Sequence, residues 1–173
     1  MCHYISGFTK AHPLLWATGP TTSGKTVLFR LFCYLIYGEA RIAKMTKAAI
    51  ISESVLDPLI VLDNYESKEL KHIQDLLLVA ATGSQHVKRR MGTDSAVVRE
   101  EVNSLIGLTS IDSIYTEELI NRTLIVELDA KYMRDSFYES QIESDILKNR
   151  DVIISSILRI IADHVLVSVE EGI

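Results

Sequence analysis

A chain of 173 residues with 47% hydrophobic and 24% charged side chains has the composition of one globular domain, which argues against a disordered or membrane-spanning protein. Its net charge of −5 supplies no overall attraction for nucleic acid, so any such contact must come from a local basic patch. Cys2 and Cys33 have no paired spacing, which argues against a zinc motif or disulfide framework and points to a reducing, cytoplasmic setting.

In chain order, residues 1–13 lack the apolar run of a signal peptide. Leu14–Thr18 is a short apolar run that ends at Gly19, the pattern of a buried strand. From Gly24 the period becomes helical, with Val27, Leu28, Leu31, Leu35 and Ile36 on one side and Gly38 as a stop. Thr46 to Leu56 fits either a helix or the second strand. Leu59–Leu62, after Pro58, is a continuous apolar run suited to an interior parallel strand. Ser67 to Ala81 predicts a helix with Ser67 as N-cap and Leu70, Ile73, Leu77 and Leu78 on its buried face. Thr82 to Glu100 is polar and basic, with Gly83 and Gly92 as turn points. Val102–Thr109 predicts a strand, Thr116–Asn121 a short helix and Thr123–Leu128 another strand. The rest predicts two helices divided near Lys148–Asp151. Within them the apolar stretch Val152–Val169 is interrupted by Arg159, Asp163 and His164, so a packed helix is expected there rather than a membrane span. Alternating strands and helices predict an α/β fold, a parallel sheet with helices on its faces.

The string Gly19-Pro20-Thr21-Thr22-Ser23-Gly24-Lys25-Thr26 satisfies G-x-x-x-x-G-K-[ST] in full. Such a loop wraps backbone N–H groups around phosphates, and its glycines supply turns that bulky residues forbid. The helix that follows turns its N-terminus towards the anion. Lys25 is placed to reach the terminal phosphates, and the Thr26 hydroxyl to ligate Mg²⁺. Leu59-Ile60-Val61-Leu62-Asp63 is an apolar strand ending in an acid, which predicts Asp63 beside Thr26, holding the Mg²⁺ of a bound nucleoside triphosphate through water. Asn64 follows, where many ATPases carry a water-activating glutamate. Glu66 is the nearest carboxylate, either a base or a charge at the start of the next helix.

These pieces, followed by LLLVAATGSQHVKRR, NSLIGLTSID and ELINRTLIVELD, resemble in order and spacing the AAA+ P-loop ATPases, in particular helicase-like ATPases of phages and mobile elements. The resemblance covers roughly residues 14–130 and implies a sheet order 5-1-4-3-2. It implies a 1–130 ATPase core and a 131–173 helical lid-like extension, shorter than the family's usual lid. It implies ATP and Mg²⁺ as ligands, with ATP hydrolysis driving a motor on DNA in replication. Thr109 or Ser110 stands where the family has a polar sensor at the end of a strand; a hydroxyl capping the next turn is the plain alternative. Arg122 stands where the family has an arginine that completes the neighbouring subunit's nucleotide site, which implies a homo-oligomeric ring, often a hexamer. Lys88, Arg89 and Arg90 lie where helicase members place a hairpin that contacts single-stranded DNA; a solvated charge cluster is the alternative there.

Two other readings share the phosphate loop: a small-molecule or nucleotide kinase with the polar insert as lid, and a nucleotide-dependent scaffold with little turnover, which Asn64 favours. The five histidines make no pair at metal-ligand spacing, and no G-x-S-x-G nucleophile motif occurs.

Overall fold

The structure, a computed structural model, describes residues 11–83, 85–89, 97–102, 104–111, 116–132 and 138–170. In chain order its elements are β1 (Leu14–Thr18), α1 (Lys25–Tyr37), β2 (Ile42–Ala43), α2 (Lys47–Glu53), β3 (Leu59–Leu62) and α3 (Ser67–Thr82). There follow β4 (Gln85–Arg89), β5 (Val97–Glu101), β6 (Leu105–Ser110), α4 (Glu117–Ile120), β7 (Thr123–Glu127), a 3₁₀ turn at Ala130–Tyr132 and α5 (Glu139–Glu170). Five strands form one sheet in the order β2-β3-β6-β1-β7, every pair parallel. Counted among themselves they run 2-3-4-1-5, the expected order seen from the other edge.

Strand alternation divides the core in two. Leu14, Trp16, Ile60, Leu62, Ile106 and Leu108 face one side and pack with Ile50 of α2, Leu76 and Leu77 of α3 and Leu119 of α4. Ala17, Leu59 and Val61 face the other side beneath Phe29 and Cys33 of α1. Helix α1 lies so close to the sheet that a Cβ on Gly107 would come within 2.3 Å of the Phe29 ring. Glycine is what lets the helix after the phosphate loop settle on β6.

The ambiguous stretch Thr46–Leu56 is helical: the Thr46 side chain accepts from the Ala49 N–H, and the two-residue β2 before it went unnoticed in the sequence. Helix α3 begins one residue earlier than expected, with Glu66 rather than Ser67 as N-cap, in a capping box with Glu69. Ser104 explains why β6 starts at Leu105 and not at Val102. Its hydroxyl donates to the carbonyls of Ser54 and Asp57 and pins the chain just before the strand. The polar insert contains an antiparallel hairpin, β4 on β5, with Lys88 opposite Val98 and Arg89 opposite Val97.

The expected break near Lys148–Asp151 is absent. Helix α5 runs unbroken from Glu139 to Glu170, a stretch without glycine or proline, and its polar patch is surface except at Arg150. That residue points inward: its Nε and Nη2 donate to the carbonyls of Leu35 and Ile36, each at 2.7 Å. It thereby satisfies the orphan acceptors at the end of α1, where the helix dipole favours a cation. At the other end of this contact Arg30 pairs with Glu139 and Glu143. Replacing Arg150 by methionine, which keeps most of the stem and removes both bonds, is expected to cost about 1–3 kcal/mol in thermal or urea unfolding.

Between α1, α5 and the amino-terminal edge of the sheet lies a cavity of about 640 Å³, walled by Leu35, Ile36, Leu59, Leu105, Ile154 and Leu158 among others. It sits at the edge opposite the phosphate loop. Among the described residues no helix is long and apolar enough to cross a membrane.

Candidate functional site

The phosphate loop leaves β1 at the carboxyl edge of the sheet. Gly19 has φ 147° and Gly24, the N-cap of α1, φ 87°. At Gly19 the need is also steric, since a Cβ would lie 2.1 Å from the Leu128 carbonyl oxygen. That oxygen is fixed because the Leu128 N–H donates to Thr18 O at 2.8 Å. Thr22 holds φ 67°, a conformation β-branched residues rarely adopt and one found where function imposes it. Residues Thr22 to Val27 line a pocket of about 230 Å³ at the start of α1.

Lys25 folds back over this loop. Its Nζ donates to the carbonyls of Gly19 at 2.6 Å and Pro20 at 2.7 Å. Desolvation holds its pKa below the usual lysine value, and the nearby Asp63 charge offsets part of that. The Thr26 hydroxyl donates to Asp63 Oδ1 at 2.9 Å, so the two residues expected to share a Mg²⁺ do meet, across 37 residues of chain. Hard oxygen donors of this kind suit Mg²⁺, which keeps most of its ligands as water and phosphate. Among the described residues no group of three or more His, Cys, Asp or Glu side chains is poised to hold a metal ion by itself. A Mg²⁺ held here would take the remainder of its shell from water and phosphate.

Thr109 completes the cluster. It is 1% exposed, its hydroxyl donates to Asp63 Oδ1 at 2.6 Å, and it accepts from the Asn64 N–H at 2.7 Å. Ser110, its neighbour, turns to the other side and accepts the indole N–H of Trp16 at 2.7 Å. Of the two hydroxyls left open by the sequence, Thr109 is the one at the carboxylate. Asn64 stands at φ 54°, and asparagine is the non-glycine residue that best tolerates this geometry. The residue type hints at such a backbone, but its bond to a strand 45 residues away leaves no trace in the sequence.

Glu66 is exposed and engaged at the start of α3: its N–H donates to Glu69 Oε2 at 2.9 Å. That bond, with Lys44, holds the Glu69 carboxyl below its ordinary pKa. Arg122 is remote from the cluster. It precedes β7, and its carbonyl accepts from the Leu14 N–H at the first residue of β1, so it lies at the amino-terminal edge while Lys25 lies at the carboxyl edge. Its guanidinium is 3.9 Å from Glu118 and partly exposed. Lys88 and Arg89 lie on β4 of the hairpin; Arg90 lies outside the described residues.

The apo structure of the NrS-1 C-terminal region resembles this fold with a TM-score of 0.53 at 17% identity, over 79% of this chain and 34% of that one. A second apo structure of that region gives a TM-score of 0.49 at 13% identity, over 86% and 38%. The chain thus spans about a third of the length of the NrS-1 region, and the likeness concerns the fold alone. No curated protein matches the sequence. The family model described as actinomycete integrative conjugative element replication protein matches residues 6–170. By that match, which takes in the phosphate loop, the Asp63 strand and α5, the chain belongs to the replication protein family of actinomycete integrative conjugative elements.

Proposed function

We propose that this replication protein binds ATP with Mg²⁺ at Gly19–Thr26 and hydrolyses it as an AAA+-type motor acting on DNA during replication of the mobile element. The observation that carries the proposal is the hydrogen-bonded chain Thr26–Asp63–Thr109 beside Lys25. In this reading Lys25 and the loop N–H groups bind the phosphates, and Thr26 and Asp63 hold the cation. Thr109 orients Asp63 and meets the terminal phosphate end. Arg122 lies at the opposite edge of the sheet from the phosphate loop of its own chain, so in this reading it serves the site of a second copy in a homo-oligomer. Lys88 and Arg89 on the hairpin supply phosphate contacts for single-stranded DNA.

The scaffold reading has one specific observation behind it. Asn64 follows Asp63, and the nearest carboxylate, Glu66, is tied into a capping box; to act as base it must leave that box. Phosphate release with and without single-stranded DNA separates the two. For the motor, turnover rises with DNA, Lys25→Ala removes it, and Arg122→Ala lowers it about 10³-fold while ATP affinity stays within two-fold. ATP bound tightly with no release under any condition decides for the scaffold. Normal turnover in Arg122→Ala removes the role in trans.

A further inference from the structure

Among the described residues two non-glycine positions hold a positive φ, Thr22 at 67° and Asn64 at 54°. Thr22 belongs to the phosphate loop. Asn64 reaches the same site through the cation cluster. Its N–H donates to Thr109 Oγ1 at 2.7 Å, that hydroxyl donates to Asp63 Oδ1 at 2.6 Å, and the same oxygen accepts from Thr26 at 2.9 Å. Backbone conformations of this kind cost energy and gather where function holds them in place.

The chain around Asn64 is anchored on both sides. Tyr65, the next residue, turns inward at 5% exposure. Its N–H donates to the Thr109 carbonyl at 3.1 Å, and its hydroxyl accepts from the Met45 N–H and donates to the Met45 carbonyl. Two consecutive N–H groups thus clamp the turn to the end of β6, and Asn64 itself is exposed. An asparagine at positive φ commonly spends its side chain on a nearby backbone group. Here the side-chain amide bonds to no described residue. The neighbouring carboxylates are already engaged, Asp63 by Thr26 and Thr109 and Glu66 in its capping box with Glu69. The free amide, which can accept as well as donate, hangs a few bonds from the nitrogen that touches Thr109.

Resting on the reading of Gly19–Thr26 and Asp63 as a site of ATP hydrolysis, we propose that Asn64 is a catalytic residue whose side-chain oxygen orients the attacking water. Side-chain amides take this part in other P-loop enzymes. An amide is no base, so Asn64 Oδ1 accepts a hydrogen bond from the water and aims its lone pair at the terminal phosphorus. A bond forms between the water oxygen and that phosphorus. The bond from the phosphorus to the bridging oxygen breaks, and its electron pair leaves with ADP. One water proton passes to an oxygen of the transferred phosphoryl group and departs with inorganic phosphate. Glu66 then has no need to leave its capping box.

The test compares the wild type with Asn64→Gly and Asn64→Asp. It measures phosphate release at saturating Mg–ATP with single-stranded DNA, Mg–ATP affinity by calorimetry, and the thermal midpoint. Glycine takes a φ of 54° without strain, so it removes the amide and keeps the turn; aspartate also tolerates that φ and keeps an acceptor oxygen. The expected result is turnover about 10²-fold lower in Asn64→Gly, with ATP affinity within about two-fold and the midpoint within about 4 °C of the wild type. Asn64→Asp is expected to turn over about ten-fold or more faster than Asn64→Gly. Wild-type turnover in Asn64→Gly means that the asparagine serves the backbone alone and overturns the proposal. A loss of turnover matched by an equal loss of ATP affinity overturns it too, as does an Asn64→Asp no faster than Asn64→Gly. In each of these cases a wild type that hydrolyses ATP leaves the motor reading standing. A wild type that binds Mg–ATP and releases no phosphate overturns both.

Discussion

Lys25→Ala is expected to raise the Kd for Mg–ATP at least about 100-fold, equivalent to about 2.8 kcal/mol, while the fold survives. The ammonium is the cation nearest the phosphate pocket, and it is already partly desolvated, since burial lowers its pKa. It is parked on the carbonyls of Gly19 and Pro20, which water can satisfy when the side chain is gone, so unfolding should shift by only about 2–4 °C. Thermal shift measures both effects. On the proposed function, saturating ATP is expected to stabilise the wild type by RT ln(1 + [L]/Kd) and to raise the variant's Tm far less. An ATP-induced shift of equal size in both proteins would show that the lysine contributes nothing to the site.

Gly107→Ala is expected to destabilise the protein by about 1–3 kcal/mol, the usual cost of overpacking a filled core. The added methyl would sit 2.3 Å from Phe29 Cε1, and Phe29 has no exposed surface through which to retreat. A urea melt gives the number, and Phe29→Leu in the same chain should recover part of it, because the two residues occupy one space. The strain also passes to α1, whose first turn forms the phosphate pocket, so ATP affinity is expected to fall alongside stability. Additive losses in the double variant would mean that the contact is not the cause.

What the sequence made legible follows from how local each signal is. Leu14–Thr18 and Leu59–Leu62 announce themselves as interior strands because both faces are covered, and Gly19–Thr26 is a contiguous motif whose conformation its own residues dictate. Ile42–Ala43 is too short for any period to register. The continuity of α5 was hidden because Lys148–Asp151 looks like a break, whereas Arg150 is polar on account of a partner 115 residues earlier in the chain, the Leu35 carbonyl. The choice of Thr109 over Ser110 was equally invisible. Two adjacent hydroxyls on a strand point opposite ways, and only the register against β1 and β3 decides which meets Asp63. The helix start was misplaced by one residue because Glu66 and Ser67 both have acceptor side chains, and Glu69 favours the glutamate by returning a carboxylate to its N–H.

The bond from Trp16 to Ser110 has a practical consequence. Trp16 is the single tryptophan of the chain, and its indole N–H rests on the residue next to Thr109, whose hydroxyl touches the Asp63 carboxylate. The protein thus carries its own fluorophore a few bonds from the pocket, free of competing indole emission. A rearrangement of the Asp63 carboxylate on cation binding is expected to reach that ring through Thr109 and Ser110. A stopped-flow trace at tryptophan wavelengths would then time ligand arrival in the unlabelled chain.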